Sequence, residues 1–267
     1  MTWAVMRLTG YIAIGVLVLA GPVSHCLAAD VPTSPHAQLV IGRLAPTLER
    51  ALQARGLRYG APIFLRLFKA SQELEMWVQG SAPSLTGALR RRRRGEGARF
   101  HLFRTYTICA YAGGLGPKRQ EGDLQSPEGF YAVTPERMNP ESNYDLSFDL
   151  GYPNAYDRAY GRTGDALMIH GNCVSAGCYA MTDADIEEIY TLADAALRHG
   201  QPAFAVHVFP FRMSQKNLRR FRHAEWLPFW LNLKEGHDLF AKWRRPPRVM
   251  VQDQRYIFAH PGLDVVP

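Results

Sequence analysis

The chain has 267 residues, 47% hydrophobic and 21% charged, a composition that supports a full hydrophobic core and excludes wholesale disorder, collagen-like repeats and low-complexity architecture. Its four cysteines are too few for a disulfide scaffold. The net charge of +7 is unevenly spread: Arg90 to Arg94 form an unbroken run, residues 95–200 hold eight basic against fifteen acidic groups, and residues 201–267 hold eleven against five. No uniform basic face for nucleic acid is implied.

Arg7 precedes an uncharged stretch with an apolar centre from Tyr11 to Ala20, then Gly21, Pro22 and small residues around Ala28 and Ala29. Residues 1–28 read as a secretory signal peptide, because the apolar centre is shorter than the roughly 20 residues a membrane-spanning helix needs. His25 is bulky where a lipoprotein site before Cys26 needs a small residue, so lipidation is the lesser reading. Export would place Cys109, Cys173 and Cys178 in an oxidising compartment, where three thiols leave at least one unpaired.

Residues 29–59 form an N-terminal helical segment: Ser34-Pro35 supplies a cap and a first-turn proline, Leu39, Leu44, Leu48, Ala51 and Leu52 share a face, and Pro46 predicts a kink or break. Pro62 to Phe68 and Glu73 to Val78 predict a β-hairpin. Residues 81–98, holding the arginine run, follow no helical or strand period and read as an exposed loop, with contact to anionic lipid or wall polymer as the alternative. Phe100 to Ala110 predicts one further strand. Residues 112–164 are rich in Gly, Pro, Asn and Asp, the kind of loop segment in which sites are built.

Ala166 to Ile169 reads as a buried strand that delivers His170. Thr182 and Asp185 resemble a capping box, and Ile186, Ile189, Tyr190, Ala193 and Leu197 recur at helical spacing until Gly200. Ala203 to Phe209 alternates as a strand, with His207 facing away from Phe204, Val206 and Val208. Residues 216–267, with Trp226, Phe229, Trp230, Phe240 and Trp243, predict an aromatic-rich extension packed on the preceding domain.

The stretch from Met168 to Asp183 sets a histidine at a strand end, a glycine-containing loop and Cys178 shortly before a helix. Cysteine attacks as the thiolate, and a neighbouring imidazole can take its proton. Backbone N–H groups around Gly177 to Tyr179 are candidates for an oxyanion hole. Other readings stand beside this one. Any single cysteine is more often a buried structural thiol or a disulfide partner. A zinc site of His170, Cys173, Cys178 and His207 is a third reading, although H-x2-C-x4-C lacks the paired spacing of common structural zinc sites. Cys173 could pair with Cys109 or act as a redox brake on Cys178, but the expectation is a plain buried thiol.

The segment from His170 to Cys178 resembles the catalytic signature of the L,D-transpeptidase (YkuD-type) family, in particular its YafK-like branch, in which a His-Gly pair precedes Ser-x-Gly-Cys. Leu65 to Val78, Gly116 to Val133, Asn139 to Gly164 and Val206 to Met213 carry further similarity, over about residues 60–215. The broader family has histidine before the Gly-Cys pair and often arginine or asparagine after it; Ala176, Tyr179 and Ala180 stand there instead, and the short His170 to Cys178 interval suits the YafK-like branch.

The resemblance implies an α+β protein with a mainly β catalytic domain over residues 60–215, a helix after the nucleophile, and helical decoration at both ends. It implies Cys178 as nucleophile, His170 as general base and the Gly171 carbonyl as the group orienting that base, with Gly177, Ser175 and Tyr179 supporting the site. Arg162, Tyr131, Asn154 and Lys118 are the candidate substrate contacts, set against an Arg162–Asp157 or Arg162–Asp165 salt bridge and a core place for the tyrosines. No cofactor or metal is implied. The expected partners are peptidoglycan stem peptides and a wall-linked outer-membrane protein, in the periplasm or cell envelope, with no nucleic acid.

The implied chemistry is acyl exchange at diaminopimelate through a thioester. Its outcome depends on the acceptor: a second stem peptide, a protein lysine, or water. A thiol hydrolase is the same-site alternative, and a non-catalytic wall-binding protein is the alternative of another class.

Overall fold

The computed structural model describes residue 1, residues 30–81 and residues 98–259. The expected signal peptide and the arginine run Arg90 to Arg94 lie outside the described residues. Helix α1 (Pro35–Gln53) begins where predicted, with the Ser34 hydroxyl accepting from the Ala37 N–H at 3.1 Å and Pro35 in the first turn. It runs unbroken through Pro46, contrary to the expected kink or break. Val40 on one side of the proline and Leu48 and Leu52 on the other are all buried in the same core. Each buried side chain of this size contributes about 1.5–3 kcal/mol, enough together to offset the missing hydrogen bond.

Strands β1 (Ile63–Phe68) and β2 (Glu73–Gln79) form the predicted antiparallel hairpin. Every residue of β1 is buried, because both of its faces are covered. Ile63, Leu65 and Leu67 enter the main core, while Phe64 and Phe68 point to a second apolar layer. Arg66 shares that second face and is neutralised by Glu75, its cross-strand partner, at 2.8 Å.

The predicted strand from Phe100 to Ala110 is two strands. β3 (Phe100–Thr107) pairs with β2, and β4 (Ala110–Tyr111) belongs to a different sheet. The chain crosses between sheets at Ile108 and Cys109, where the Ile108 N–H still donates to Gln72 and the Cys109 N–H donates to Ala180. The alternating pattern continues through the crossing, so periodicity alone hides it.

Beyond it come β5 (Gly129–Val133), β6 (Met138–Asn139), β7 (Ser147–Asp149), the short α2 (Ala155–Ala159), β8 (Met168–His170) and β9 (Tyr179–Ala180). Then follow α3 (Asp183–Arg198), β10 (Phe204–Phe209), α4 (Gln215–Arg220), α5 (Leu227–Trp243), and the hairpin β11 (Arg248–Gln252) and β12 (Arg255–Ala259).

One five-stranded sheet has the order β3-β2-β1-β10-β5, with β1 and β10 parallel. The other has the order β4-β9-β8-β7-β6, with β8 and β9 parallel. The main core joins apolar residues of both sheets with α1 and α3. Ile186, Ile189, Tyr190, Ala193 and Leu197 supply the buried face of α3, as their spacing predicts. Thr182 caps this helix by accepting from the Asp185 N–H at 3.2 Å. The outer face of the first sheet is covered by α5 and the C-terminal hairpin, which supply Trp230, Leu233, Phe240 and Tyr256.

A fully buried ion pair joins these layers. Lys69, just past β1, lies 3.2 Å from Glu128, and both side chains are completely inaccessible. The ammonium also donates to the carbonyls of Gly116 and Ser126 at 3.1 and 3.0 Å, so all three of its donors are engaged. Glu128 accepts from the Gly116 N–H and from the Trp230 indole N–H of α5, at 2.6 and 2.8 Å. Replacing Lys69 by Met strands a buried carboxylate and is expected to lower stability by about 3–5 kcal/mol. Urea unfolding of Lys69→Met, Glu128→Met and the double variant checks this: the double variant should be more stable than the sum of the single losses predicts.

Candidate active site

His170 ends β8 and Cys178 immediately precedes β9. Because these neighbouring strands run parallel with Ile169 opposite Tyr179 and His170 opposite Ala180, the two side chains lie on one face of the sheet, a single step apart. The first three residues of the intervening loop are each pinned through the backbone N–H. The Gly171 N–H donates to Tyr144 O, the Asn172 N–H to Asp183 Oδ1 at the start of α3, and the Cys173 N–H to Met181 O.

Gly171 has no room for a side chain: a Cβ would lie 2.6 Å from Asp183 Oδ1 and 2.9 Å from the Tyr144 carbonyl. Gly177 has φ +155°, a conformation L side chains rarely adopt. These contacts give physical reasons for the His-Gly and Gly-Cys pairs.

Cys173 is not the plain buried thiol the sequence suggested. It forms a disulfide with Cys109, with Cα atoms 5.3 Å apart, at the point where the chain crosses between sheets. Closing a 64-residue separation corresponds to about 4 kcal/mol in the chain-entropy description. Cys178 is the free cysteine among the described residues, as the odd thiol count requires. The proposed zinc set does not assemble: Cys173 is consumed by the disulfide, and His207 is enclosed by Phe64 and Phe130, each ring 4.6 Å away.

His170 Nδ1 lies 2.6 Å from the Gly171 carbonyl, which accepts only if Nδ1 carries the proton. This leaves the Nε2 lone pair free to take a proton. Burial pushes the imidazole below its ordinary pKa, with the Gly171 hydrogen bond opposing the shift, and the Tyr144 ring lies 4.7 Å away. The Cys178 sulfur accepts from the Met168 N–H at 3.4 Å and donates to the Ala166 carbonyl at 3.7 Å. Burial raises its thiol pKa and Asp149 adds to the rise, while the Met168 N–H and Lys118 oppose it. Both shifts favour a resting pair of neutral thiol and neutral imidazole.

The two side chains open into one cleft of about 540 Å³, also lined by Lys118, Glu121, Tyr144, Asp165, Ser175 and Gly177. Lys118 is held there by Asp123, 2.6 Å from its ammonium, and by the Gln120 carbonyl. Two donors are thus engaged and a third remains. Ser175 donates to the Cys178 carbonyl at 2.8 Å and accepts from the Gly177 N–H at 3.1 Å. The Gly177 donor expected for an oxyanion hole is therefore occupied in this arrangement. The Tyr179 ring lies behind the site, its hydroxyl donating to Pro127 O at 2.7 Å.

Three candidate substrate contacts lie elsewhere. Arg162 is buried against Asp157 at 2.7 Å, among the rings of Tyr156, Tyr160 and Phe229. The Tyr131 hydroxyl is spent on the Glu128 carbonyl and Asp157 inside the core. Asn154 caps α2 and donates to Phe130 O and the Tyr256 hydroxyl. Asp149, Tyr144, Glu121 and Asp165 were missed, because they come from separate loops and strands with no local pattern to mark them.

A model of the L,D-transpeptidase catalytic domain family, YkuD, matches residues 93–208. The chain is 42% identical over 202 residues, 76% of each chain, to YafK of Escherichia coli strain K12, described as a candidate L,D-transpeptidase, and equally to that of strain O157:H7. The chain belongs to the L,D-transpeptidase family. Among solved structures, the helical cell shape determining protein Pgp2 of Campylobacter jejuni is 17% identical with a TM-score of 0.41, over 81% of this chain and 84% of that one. The α+β fold and the YafK-like resemblance carried by the motifs are those of this family.

Alkylation offers a direct check on the thiol. Iodoacetamide should react with Cys178 more slowly at neutral pH than with a free cysteine, and the rate should rise through a pKa above the ordinary thiol range. A rate profile with a midpoint well below that range would show a preformed thiolate instead.

Proposed function

We propose that this L,D-transpeptidase transfers acyl groups at the diaminopimelate residue of peptidoglycan stem peptides through a Cys178 thioester. The observation that carries the reading is the opening of His170 and Cys178 into one cleft, with Nδ1 tied to Gly171 O and Nε2 left free. As the Cys178 sulfur attacks the carbonyl at the L-centre, its proton passes to His170 Nε2. The tetrahedral intermediate collapses, the leaving amine takes that proton from the imidazolium, and a thioester remains. His170 then removes a proton from the acceptor, which attacks the thioester, and the departing sulfur recovers a proton from His170.

Lys118 supplies a nearby positive charge for the thiolate and for the negative charge developing on the carbonyl oxygen. An amine acceptor on a second stem peptide gives a cross-link. Water gives hydrolysis, including release of a protein attached at diaminopimelate. The solvent-facing Val174 and Asp165 on the cleft rim favour access of water, so hydrolysis is the second reading. The Cys109–Cys173 disulfide supports an exported protein working in an oxidising envelope compartment, and no described helix is long and apolar enough to cross a membrane.

Purified protein and Cys178→Ala, incubated with diaminopimelate-containing muropeptides and followed by mass spectrometry, test the reading. The native protein should give cross-linked dimers or cleaved peptide and a trapped thioester mass, and the variant neither. Full activity in Cys178→Ala, or absence of any acyl adduct on the native protein, would reject it. In the native protein kcat/KM should fall as pH drops through the His170 pKa. Because burial lowers that pKa, the acid limb should lie below the ordinary imidazole value of about 6.5.

A further inference from the structure

A second cavity, of about 730 Å³, opens where the loops around residues 119–120 and 160–163 meet the C-terminal extension. Chain neighbours divide between it and the catalytic cleft. Lys118 and Glu121 line the cleft while Arg119 and Gln120 line the second cavity, and Asp165 lines the cleft while Thr163 lines the cavity. The two segments of this wall are joined by the Thr163 N–H to the Arg119 carbonyl at 3.2 Å and by the Glu121 N–H to Thr163 Oγ1 at 3.1 Å.

Four aromatic side chains line the cavity, Tyr156, Tyr160, Trp226 and Phe229, and two of them carry the argument. Tyr160 is 48% exposed yet immobilised. It is the outer member of a pile of rings in which Tyr160 lies 4.8 Å from Tyr156, and Tyr156 lies 4.3 Å from Tyr256. Its hydroxyl donates to the Gln254 carbonyl at 3.1 Å. Trp226 sits close over Gly116, where a Cβ would come within 2.6 Å of the indole nitrogen. An exposed ring already fixed in place loses little conformational entropy when a ligand covers it.

The charges around these rings are balanced. Arg162 is paired with Asp157 at 2.7 Å and Arg255 with Glu235 at 2.9 Å. The other two charged residues lining the cavity, Arg119 and Glu225, have opposite signs. A polyanion would find no excess of cations. The lining suits a neutral, hydroxyl-rich ring with apolar C–H faces for the aromatics and hydrogen-bonding groups for Gln120, Thr163 and Gln254.

We propose that this cavity binds the glycan of the polymer, a β-1,4-linked N-acetylhexosamine chain, while a stem peptide from the same strand enters the Cys178 cleft. The inference rests on peptidoglycan being the substrate. The two cavities are lined by chain neighbours such as Lys118 and Arg119, and a stem peptide of three extended residues reaches about 10 Å from the glycan.

Chitotetraose titrated into isotopically labelled full-length Cys178→Ser protein, observed by NMR, tests glycan binding without requiring turnover. Saturable shifts are expected at Arg119, Gln120, Tyr160 and the Trp226 indole. Tyr160→Ala should weaken binding by roughly tenfold, and the exposed Gln120→Ala by a smaller factor. Absence of saturable shifts, shifts confined to the Cys178 cleft, or unchanged affinity in both variants would overturn the inference. If chitotetraose fails to bind while native protein still forms an acyl adduct with muropeptides, the glycan site alone is wrong. If chitotetraose binds but no adduct forms, the acyl-transfer reading is the one that fails.

Discussion

The geometry of the cleft depends on an ion pair that does not touch it. Lys69 and Glu128 are sealed from solvent, and each hydrogen-bonding group of the pair holds a different part of the chain: the end of β1, the loop at Gly116, the turn at Ser126 and helix α5 through Trp230. The same turn reaches Cys178, because the Ser126 hydroxyl donates to its carbonyl at 3.0 Å and Pro127 O receives the Tyr179 hydroxyl. A buried pair of this kind contributes little net stability over an apolar replacement. Its value here is positional, since a charge that cannot be left unpaired forces four segments into register.

Burial favours the uncharged forms of His170 and Cys178. Both groups are withdrawn from water, which penalises an imidazolium and a thiolate alike. The Met168 N–H and the Lys118 ammonium are the groups favouring negative charge on sulfur. Both are fixed by the fold itself, so the proposed acyl transfer would need little reorganisation around the sulfur. Part of the acidic excess of residues 95–200 is met by bases from outside that stretch, Glu128 by Lys69 and Glu187 by Arg43.

What could be read from the sequence was local. The α1 cap, the β1–β2 hairpin and the α3 face follow from spacing within a few residues, and the His-Gly and Ser-x-Gly-Cys motifs marked the residues that meet in the cleft. Partnerships made across the fold were hidden. Cys109 finds Cys173 across a separation of 64 residues, and no spacing marks Lys69 for Glu128. Arg162, Tyr131 and Asn154 sit in motif-bearing stretches, yet none of them lines the Cys178 cleft, because similarity along a segment does not say which side of it faces the cleft. Lys118 was separable from them only once the loop knotted by Asp123 was visible.

The disulfide has a mechanical consequence. Cys109 is the residue at which the chain leaves one sheet for the other, and Cys173 lies in the loop that spaces His170 from Cys178. A covalent strut therefore runs from the seam between the sheets to the loop between His170 and Cys178. Sliding of one sheet against the other would be delivered to that spacer as a change in the separation of imidazole and sulfur. The stiffness of the seam thus bears on how closely His170 and Cys178 keep their distance.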